Sequence, residues 1–408
     1  MVRSLPFLPY GRQQLDEDDI DAVAAALRGD LLTTGPQIPA FEQALAAITG
    51  AAHAVVCANG TAALHLAYAA LGLGPGDAVI VPAITFAATA NAARLTGADV
   101  VFADVDPDTG LMRPDDLQHA LARTSMTVEA VAPVHLAGRS CAMDDIAAIA
   151  DSCGLRIVED ACHALGSAVV DGDGVSRAVG DGRHSDASCF SFHPVKTIAM
   201  GEGGAITTQD AALAQRMRRL RHHGMVNAAH EWAHPEHGLD PRGDANPWYA
   251  EMPELGFNYR ATDFQCALGL SQLRKLDRFA AQRRALRAHY ARRLAGLEPV
   301  LAMPAPPATE NPCWHLAVVL IDFAALGRDR ATVMHELKAR GIGSQVHYFP
   351  VSHQPYYRRR YGLPHLPGAW RYYERCLSLP LFASMTVADA DRVCDALIDV
   401  LALKEHAA

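Results

Sequence analysis

Lys196 stands between an apolar run and a glycine cluster, in the stretch FSFHPVKTIAMGEGG (190–204). A lysine amine that is partly stripped of water has a lowered pKa and adds to a carbonyl carbon to give a Schiff base. The ordinary alternative is a surface lysine whose stem lies along apolar atoms. Two other stretches bear on that choice. In ANGTAALHLA (58–67) an apolar run ends, a glycine follows and a helical pattern starts. Unpaired N–H groups at a helix start, with the helix dipole behind them, form a cup for a phosphate. Gly60 lets the backbone come close and Thr61 adds a hydroxyl, although a plain N-cap would read the same way. The stretch has neither GK[ST] nor GxGxxG, so it is no P-loop and no dinucleotide fingerprint. In IVEDACHALGS (157–167) a β-like run ends in Glu159 and Asp160, with His163 three residues beyond Asp160. A carboxylate at the carboxyl edge of a sheet either pairs with a cationic ligand nitrogen or caps the next helix.

The order of these parts narrows the chemistry. A phosphate cup comes first, then an Asp about 100 residues on, then a Lys about 35 residues later beside Ser191 and His193. Pyridoxal 5'-phosphate needs that set: a helix start for its phosphate, an acid to keep its ring nitrogen protonated, and a lysine for its aldehyde.

Such residues act together only if a scaffold brings them to one edge. DEDDIDAVAAALRG (16–29) opens with acids and closes with glycine, as a helix does. A second helix is expected near 39–49. Then HAVVCA (53–58), AVIVPA (78–83), DVVFADV (99–105), VEAVAPVH (128–135) and LRIVED (155–160) alternate with helical stretches at 61–71, 87–96, DDLQHALA and MDDIAAIADSCG. GLGPGD (72–77) is a turn. This rhythm implies βαβ units and an α/β fold with a mostly parallel sheet covered on both faces. DASCFSFH and GGAITT are strand-like with no helix between them. Residues 225–255 are polar and rich in Pro, His and Trp, and read as a long surface excursion. A helical pattern follows over 261–296. From about 273 the composition suits a smaller α/β domain, with strands near 314–321 and 344–350.

Bulk properties exclude several classes. The 408 residues carry a net charge of −9, which disfavours nucleic acid and anionic membranes as partners. No apolar run approaches the roughly 20 residues of a membrane span, and MVRSLPFLPYGRQ is broken by Pro6 and Pro9, so it is no secretory signal. Nine cysteines without a CxxC pair read as reduced, buried thiols, and the expected location is the cytoplasm. His230, His234 and His237 have loose metal-like spacing, but Pro235 breaks any helix there, so no metal is expected. His222 and His223 precede Gly224 at a helix end and read as capping. Arg358, Arg359 and Arg360 read as a solvated face, or as an attractor for a pyrophosphate.

The chain resembles the DegT/DnrJ/EryC1/StrS family of sugar aminotransferases. The motifs that carry the resemblance are PYGRQ, LTTGP, NGTAALHLA, PAITFAATANA, EDACHALGS, SFHPVKTI with GEGG, RHHG, GFNYRATDFQCALGLSQL and QVHYFPV. It implies a fold-type I pyridoxal-phosphate aminotransferase with a large cofactor-binding domain (13–272), a small C-terminal domain (273–408) and residues 1–12 as an arm. It implies that Lys196 holds the cofactor aldehyde and Asp160 its ring nitrogen, while Gly60, Thr61, Ala62 and Ser191 hold its phosphate. Phe86 would stack on the ring and His163 would sit near the ring hydroxyl. Asn258, helped by Arg260, would reach the phosphate of the neighbouring subunit in a homodimer. His193 joins Lys196 and Asp160 as a catalytic candidate, and Tyr10, Thr34 and His347 are candidates for the sugar pocket.

Within the family, CHALGS, SFHPVKTI, NPWYAEMPELGFNYR and QVHYFPV most resemble the transaminases that form UDP-4-amino-4,6-dideoxy-N-acetyl-β-L-altrosamine, in pseudaminic acid synthesis. The implied reaction moves an amino group from L-glutamate to C4 of a UDP-linked 4-keto-6-deoxy sugar, the alternative being a dTDP- or GDP-linked 4-keto sugar. Two departures stand out: ANGT replaces the common NSGT at 58–61, and Ala199-Met200 follow KTI. Lys196 is intact, which sets aside the branch that replaces it by histidine.

Overall fold

A computed structural model describes residues 6–403. The first five residues of the expected arm and the last five of the expected small domain lie outside the described residues. The strands are β1 His53–Cys57, β2 Asp77–Pro82, β3 Asp99–Ala103, β4 Thr127–Val131, β5 Arg156–Asp160, β6 Ala168–Val170 and β7 Ser176–Ala178. They continue with β8 Ala187–Ser191, β9 Gly204–Thr208, β10 Leu301–Ala302, β11 Glu310–Asn311, β12 Ala317–Ile321 and β13 Cys376–Leu379.

Seven strands form the main sheet in the order β1-β9-β8-β5-β4-β2-β3. Five of them, from β8 to β3, pair in parallel, and β9 runs antiparallel to both its neighbours. The short runs are apolar throughout rather than alternating because helices cover both faces; all of β2 after Asp77 is buried. One face packs on the helices Gly60–Ala70 and Ala87–Thr96, through Leu64, Tyr68 and Ala90. The other packs on Phe41, Leu45, Cys266 and Phe279, with Phe41 edge-on to Phe192 at 5.3 Å. No helix among the described residues is long and apolar enough to cross a membrane.

A second sheet, β10-β12-β13, is antiparallel. Its core joins Leu286, Tyr290, Val319, Leu379 and Leu397 to Leu8 from the start of the chain. Leu8 lies parallel to Ile342, its N–H donating to Gly341 O while Gly343 N–H donates to Leu8 O.

Three expectations need correcting. The helical pattern at 261–296 is two helices, Asp263–Leu273 and Leu276–Arg293, because the chain turns at Arg274-Lys275. The segment 344–350 is not a strand. Only Gln345 pairs with Ser378, since the chain then turns away through Pro350 and β13 fills the place beside β12. The thiols are not all buried: Cys153 is exposed and Cys162 is part-exposed, and none of the nine forms a disulfide. Residues 225–255 form an ordered excursion, tied at its base by the Val226–Glu251 pair and inside by Trp232 against Tyr249. Trp248, Met252 and Leu255 stand exposed on it.

Candidate active site

The carboxyl ends of the parallel strands converge on a cleft of about 750 Å³. From β1 the chain passes through Asn59 into the helix Gly60–Ala70. Asn59 caps that helix, its side-chain oxygen accepting from Ala62 N–H at 2.9 Å. The cap consumes the Ala62 N–H, so the expected cup is left with the Gly60 and Thr61 N–H groups, which find no acceptor among the described residues. Position 60 has no room for a side chain, because a Cβ there would lie 2.9 Å from Ser191 Cβ and 3.3 Å from Cys162 Sγ. The result is a small concavity between a helix start and the end of β8, lined by Thr61 and Ser191.

Asp160 ends β5 and points into this cleft, whereas its neighbour Glu159 points to the other face, as successive strand residues must. Glu159 is spent on structure: it accepts from His135 Nε2 at 2.6 Å and from Ser188 Oγ at 2.8 Å. Asp160 is 5% exposed and is held by two donors, Thr89 Oγ1 at 2.6 Å and Cys162 N–H at 3.2 Å. Because a carboxylate accepts, Thr89 spends its proton on Asp160, and Thr85 Oγ1 donates to Thr89 at 2.7 Å. A buried acid is thus fixed in orientation by a two-hydroxyl chain.

Lys196 follows β8 in a turn closed by its own N–H donating to His193 O at 2.8 Å. Desolvation lowers its pKa below the ordinary lysine value, against the opposing pull of Cys162 and Asp160. The backbone behind it is pinned by Arg283, a fully buried guanidinium that donates to Leu381 O at 3.0 Å and to Lys196 O at 3.4 Å. Three buried imidazoles surround the lysine. His163 is held well below the usual histidine pKa by burial, then by Lys196 and His347. His315, its ring tilted against His163 with centroids 4.3 Å apart, is lowered likewise by burial and by His163. His347, bonded through Nδ1 to Ser378 Oγ at 2.8 Å, is pushed down to about 3 by burial and Lys196.

The cleft brings together Gly60, Thr61, Ala62, Phe86, Asp160, His163, Ser191, His193 and Lys196, with Tyr10 and His347 on the facing wall. His193 is exposed at the rim rather than inside, because its carbonyl closes the turn and its Nδ1 faces Val195 N–H at 3.4 Å. Thr34 lies elsewhere, exposed in a left-handed turn (φ 57°) beside the Thr33–Thr262 pair, so this chain's cleft does not contain it. Asn258 is exposed outside the cleft and bridges His222, and Arg260 Nη1 donates to His222 Nδ1 at 2.6 Å. Arg360 pairs with Asp99, and none of Arg358, Arg359 and Arg360 lines the cleft. His234 pairs with Glu236 on the excursion, and no group of three metal-ligating side chains comes together among the described residues.

Sequence reasoning missed Thr85, Thr89, Cys162, His315 and Tyr348. His315 was signalled by a polar residue opening an apolar strand, and Tyr348 lies inside a quoted motif. Thr89 gave no signal, since a threonine in an alanine-rich helix is ordinary.

Pyridoxal phosphate fits these residues. The concavity over Gly60 presents two free N–H groups to a phosphate, an oriented buried carboxylate suits a protonated ring nitrogen, and a desolvated lysine faces both. The comparisons agree. The DegT/DnrJ/EryC1/StrS aminotransferase family matches residues 13–398. The chain is 38% identical over 398 residues to the spore coat polysaccharide biosynthesis protein SpsC of Bacillus subtilis (strain 168), covering 97% of each. Among solved structures it is similar to Helicobacter pylori PseC, an aminotransferase involved in pseudaminic acid biosynthesis (27% identity, TM-score 0.86, 97% of this chain and 99% of that one). It is also similar to DesI, solved in the presence of its TDP-sugar product (35% identity, TM-score 0.81, 97% of this chain and 93% of that one). The chain belongs to the DegT/DnrJ/EryC1/StrS family of pyridoxal-phosphate-dependent aminotransferases.

Proposed function

We propose that the chain transfers an amino group from L-glutamate to C4 of a UDP-linked 4-keto-6-deoxy-N-acetylhexosamine, giving UDP-4-amino-4,6-dideoxy-N-acetyl-β-L-altrosamine. The observation that carries the reading is the meeting of Lys196 and Asp160 in one cleft, in a chain similar along its length to PseC. Bound there, the cofactor supplies an electron sink for the carbon that bears the amine. Asp160 would hold the proton on the ring nitrogen, with Thr89 and Cys162 N–H keeping its carboxylate aimed. Gly60 and Thr61 N–H, with Ser191 Oγ, would bind the phosphate, and Phe86 would cover one ring face. Lys196 Nζ, short of water and shifted toward its neutral amine form, would carry the proton to and from the reacting carbon. Tyr10 and His347 would border the sugar. Asn258, exposed and outside its own cleft, would serve the cleft of a second subunit in a homodimer.

One observation favours a second reading. DesI is the more identical of the two solved relatives, and it was solved with a TDP-sugar product, which supports a dTDP-linked 4-keto-6-deoxyhexose as substrate. The test is direct. Purified holoenzyme with L-glutamate receives, separately, the two C5-epimeric UDP-linked 2-acetamido-2,6-dideoxyhexos-4-uloses and dTDP-4-keto-6-deoxyglucose, and the amino sugar is followed by mass spectrometry and NMR. Turnover confined to the L-arabino UDP epimer supports the first reading. Turnover confined to the dTDP sugar overturns it in favour of the second.

A further inference from the structure

We infer that Tyr348 is a one-way hydrogen-bond donor to an oxygen of the bound reactants, its direction set by the peptide N–H of Ala137 acting through His163. The inference rests on the aminotransferase reading, in which a substrate ketone and a cofactor phenolic oxygen both enter the cleft. It does not depend on which sugar is used.

Ala137 N–H faces His163 Nδ1 at 3.4 Å. A peptide N–H can donate and never accept, so Nδ1 must offer its lone pair. The imidazole is therefore neutral with its proton on Nε2, in agreement with the lowered basicity that burial and Lys196 impose on it. Nε2 lies 3.3 Å from Tyr348 Oη. That nitrogen donates, so the tyrosine oxygen accepts, and its own hydrogen is left pointing away from His163. Tyr348 is part-exposed on the cleft wall, near Phe86 (ring centroids 6.1 Å apart), and among the described residues no other acceptor takes its hydrogen. Burial holds its phenol far above the ordinary tyrosine pKa, so the hydrogen is present at every working pH.

The backbone is bent to make this connection. Ala137 adopts a left-handed conformation (φ 62°) that only glycine takes freely, and its carbonyl accepts from His315 N–H at 2.9 Å. One strained residue thus serves both neighbouring histidines. Strain of this kind persists where surrounding structure enforces it. The chain of donors ends at an oxygen-seeking hydrogen in a cleft where oxygens react. His163 is a positioning residue in this scheme, and Tyr348 is the group that touches the reactants.

The test uses holoenzyme variants Y348F, H163Q, H163E and H163E/Y348F, each checked for cofactor content and thermal midpoint. Single-turnover rates of the amino-donor and keto-sugar half-reactions are measured, with a pH titration of the cofactor's visible band. Y348F is expected to slow at least one half-reaction about a hundredfold, as loss of a preorganised donor does. If the acceptor is the cofactor's phenolic oxygen, the titration midpoint of the band moves as well. If it is the substrate ketone, the band stays and only the keto-sugar half falls. The amide introduced by H163Q can accept from Ala137 and donate to Tyr348. H163Q should therefore lose far less than H163E, whose carboxylate accepts on both sides and turns the tyrosine hydrogen away. H163E should add little once Tyr348 is gone, because the two changes remove one interaction. Y348F rates and band within about twofold of wild type would overturn the inference, as would H163E no slower than H163Q.

Discussion

Thr89→Val tests the idea that Asp160 works because it is oriented. Thr89 Oγ1 lies 2.6 Å from Asp160 Oδ2 and is fully buried. Valine keeps the shape and removes the hydroxyl, leaving one carboxylate oxygen without its side-chain donor and the Thr85 hydroxyl without its acceptor. A hydrogen bond to a charged group contributes about 1.5–3 kcal/mol, which is roughly a tenfold to hundredfold effect. The Cys162 N–H at 3.2 Å remains, so the lower half of that range is expected. The loss should appear in cofactor affinity, read from apoenzyme reconstitution, and in the single-turnover rate with the amino donor. Thr85→Val breaks the outer, neutral bond of the chain, contributing about 1 kcal/mol, so it should cost about fivefold. The double variant should match T89V alone, since Thr85 acts through Thr89. A T89V enzyme within twofold of wild type would refute the reasoning. So would T85V worse than T89V, because the proton would then run the other way along the chain.

Lys196→Ala should abolish turnover and the visible absorption of the lysine-bound cofactor while leaving the thermal midpoint of the apoenzyme near wild type; retained turnover would remove the lysine from the reaction. Gly204→Ala would place a Cβ 2.3 Å from the Asn59 carbonyl, pushing the helix start away from the cleft. It should destabilise the protein by about 1–3 kcal/mol and release cofactor, both measured by denaturation with and without added pyridoxal phosphate. Acid should unfold the enzyme through His163, His315 and His347. In the unfolded chain these imidazoles gain protons as pH falls through about 6.5, while in the fold they stay neutral to far lower pH, His347 to about 3. The unfolded state then binds more protons, so stability falls on acidification, by up to about 4 kcal/mol per pH unit for three groups. Urea midpoints at pH 7.5 and 5.5 measure it, and His347→Asn should show a shallower slope; equal midpoints at the two pH values would count against neutral buried histidines.

Much of the large sheet was legible because its strands are short apolar runs set between helices. The helix at 87–96 matches the expected bounds residue for residue, with Gly97 ending it in a left-handed conformation. The meeting of Asp160 and Ser191 was legible for the same reason: a motif at the carboxyl end of a parallel strand must face the same edge as its neighbours. The sequence could not separate Glu159 from Asp160, because both end the same strand and only the pleat decides which one faces the cleft. Segment 344–350 alternates like a strand but lacks a neighbour to pair with beyond Gln345, a tertiary matter that local pattern does not carry. The hairpin of β6 and β7, three residues a side, is too short to show a period. Tyr348 and His315 come from distant chain and meet His163 beside the Ala137 turn, which nothing in LAGRS announces.

The small sheet's core is closed by Leu8, and Tyr10 O accepts from Leu381 N–H, so residues near the start of the chain are tied to residues near its end. During synthesis Leu8 and Tyr10 emerge long before their partners, and they must wait until residues 341–381 have left the ribosome. Tyr10 belongs to the wall of the cleft, so the site is completed late, after the seven-stranded sheet has had time to form. A chain stalled before residue 341 would carry Lys196, Asp160 and Gly60 on a sheet whose seven strands are all synthesised, yet with one wall of the cleft missing and Leu8 undocked. Competence for cofactor and substrate would thus arrive as a single late event, when Leu8 and Tyr10 meet residues 341–381.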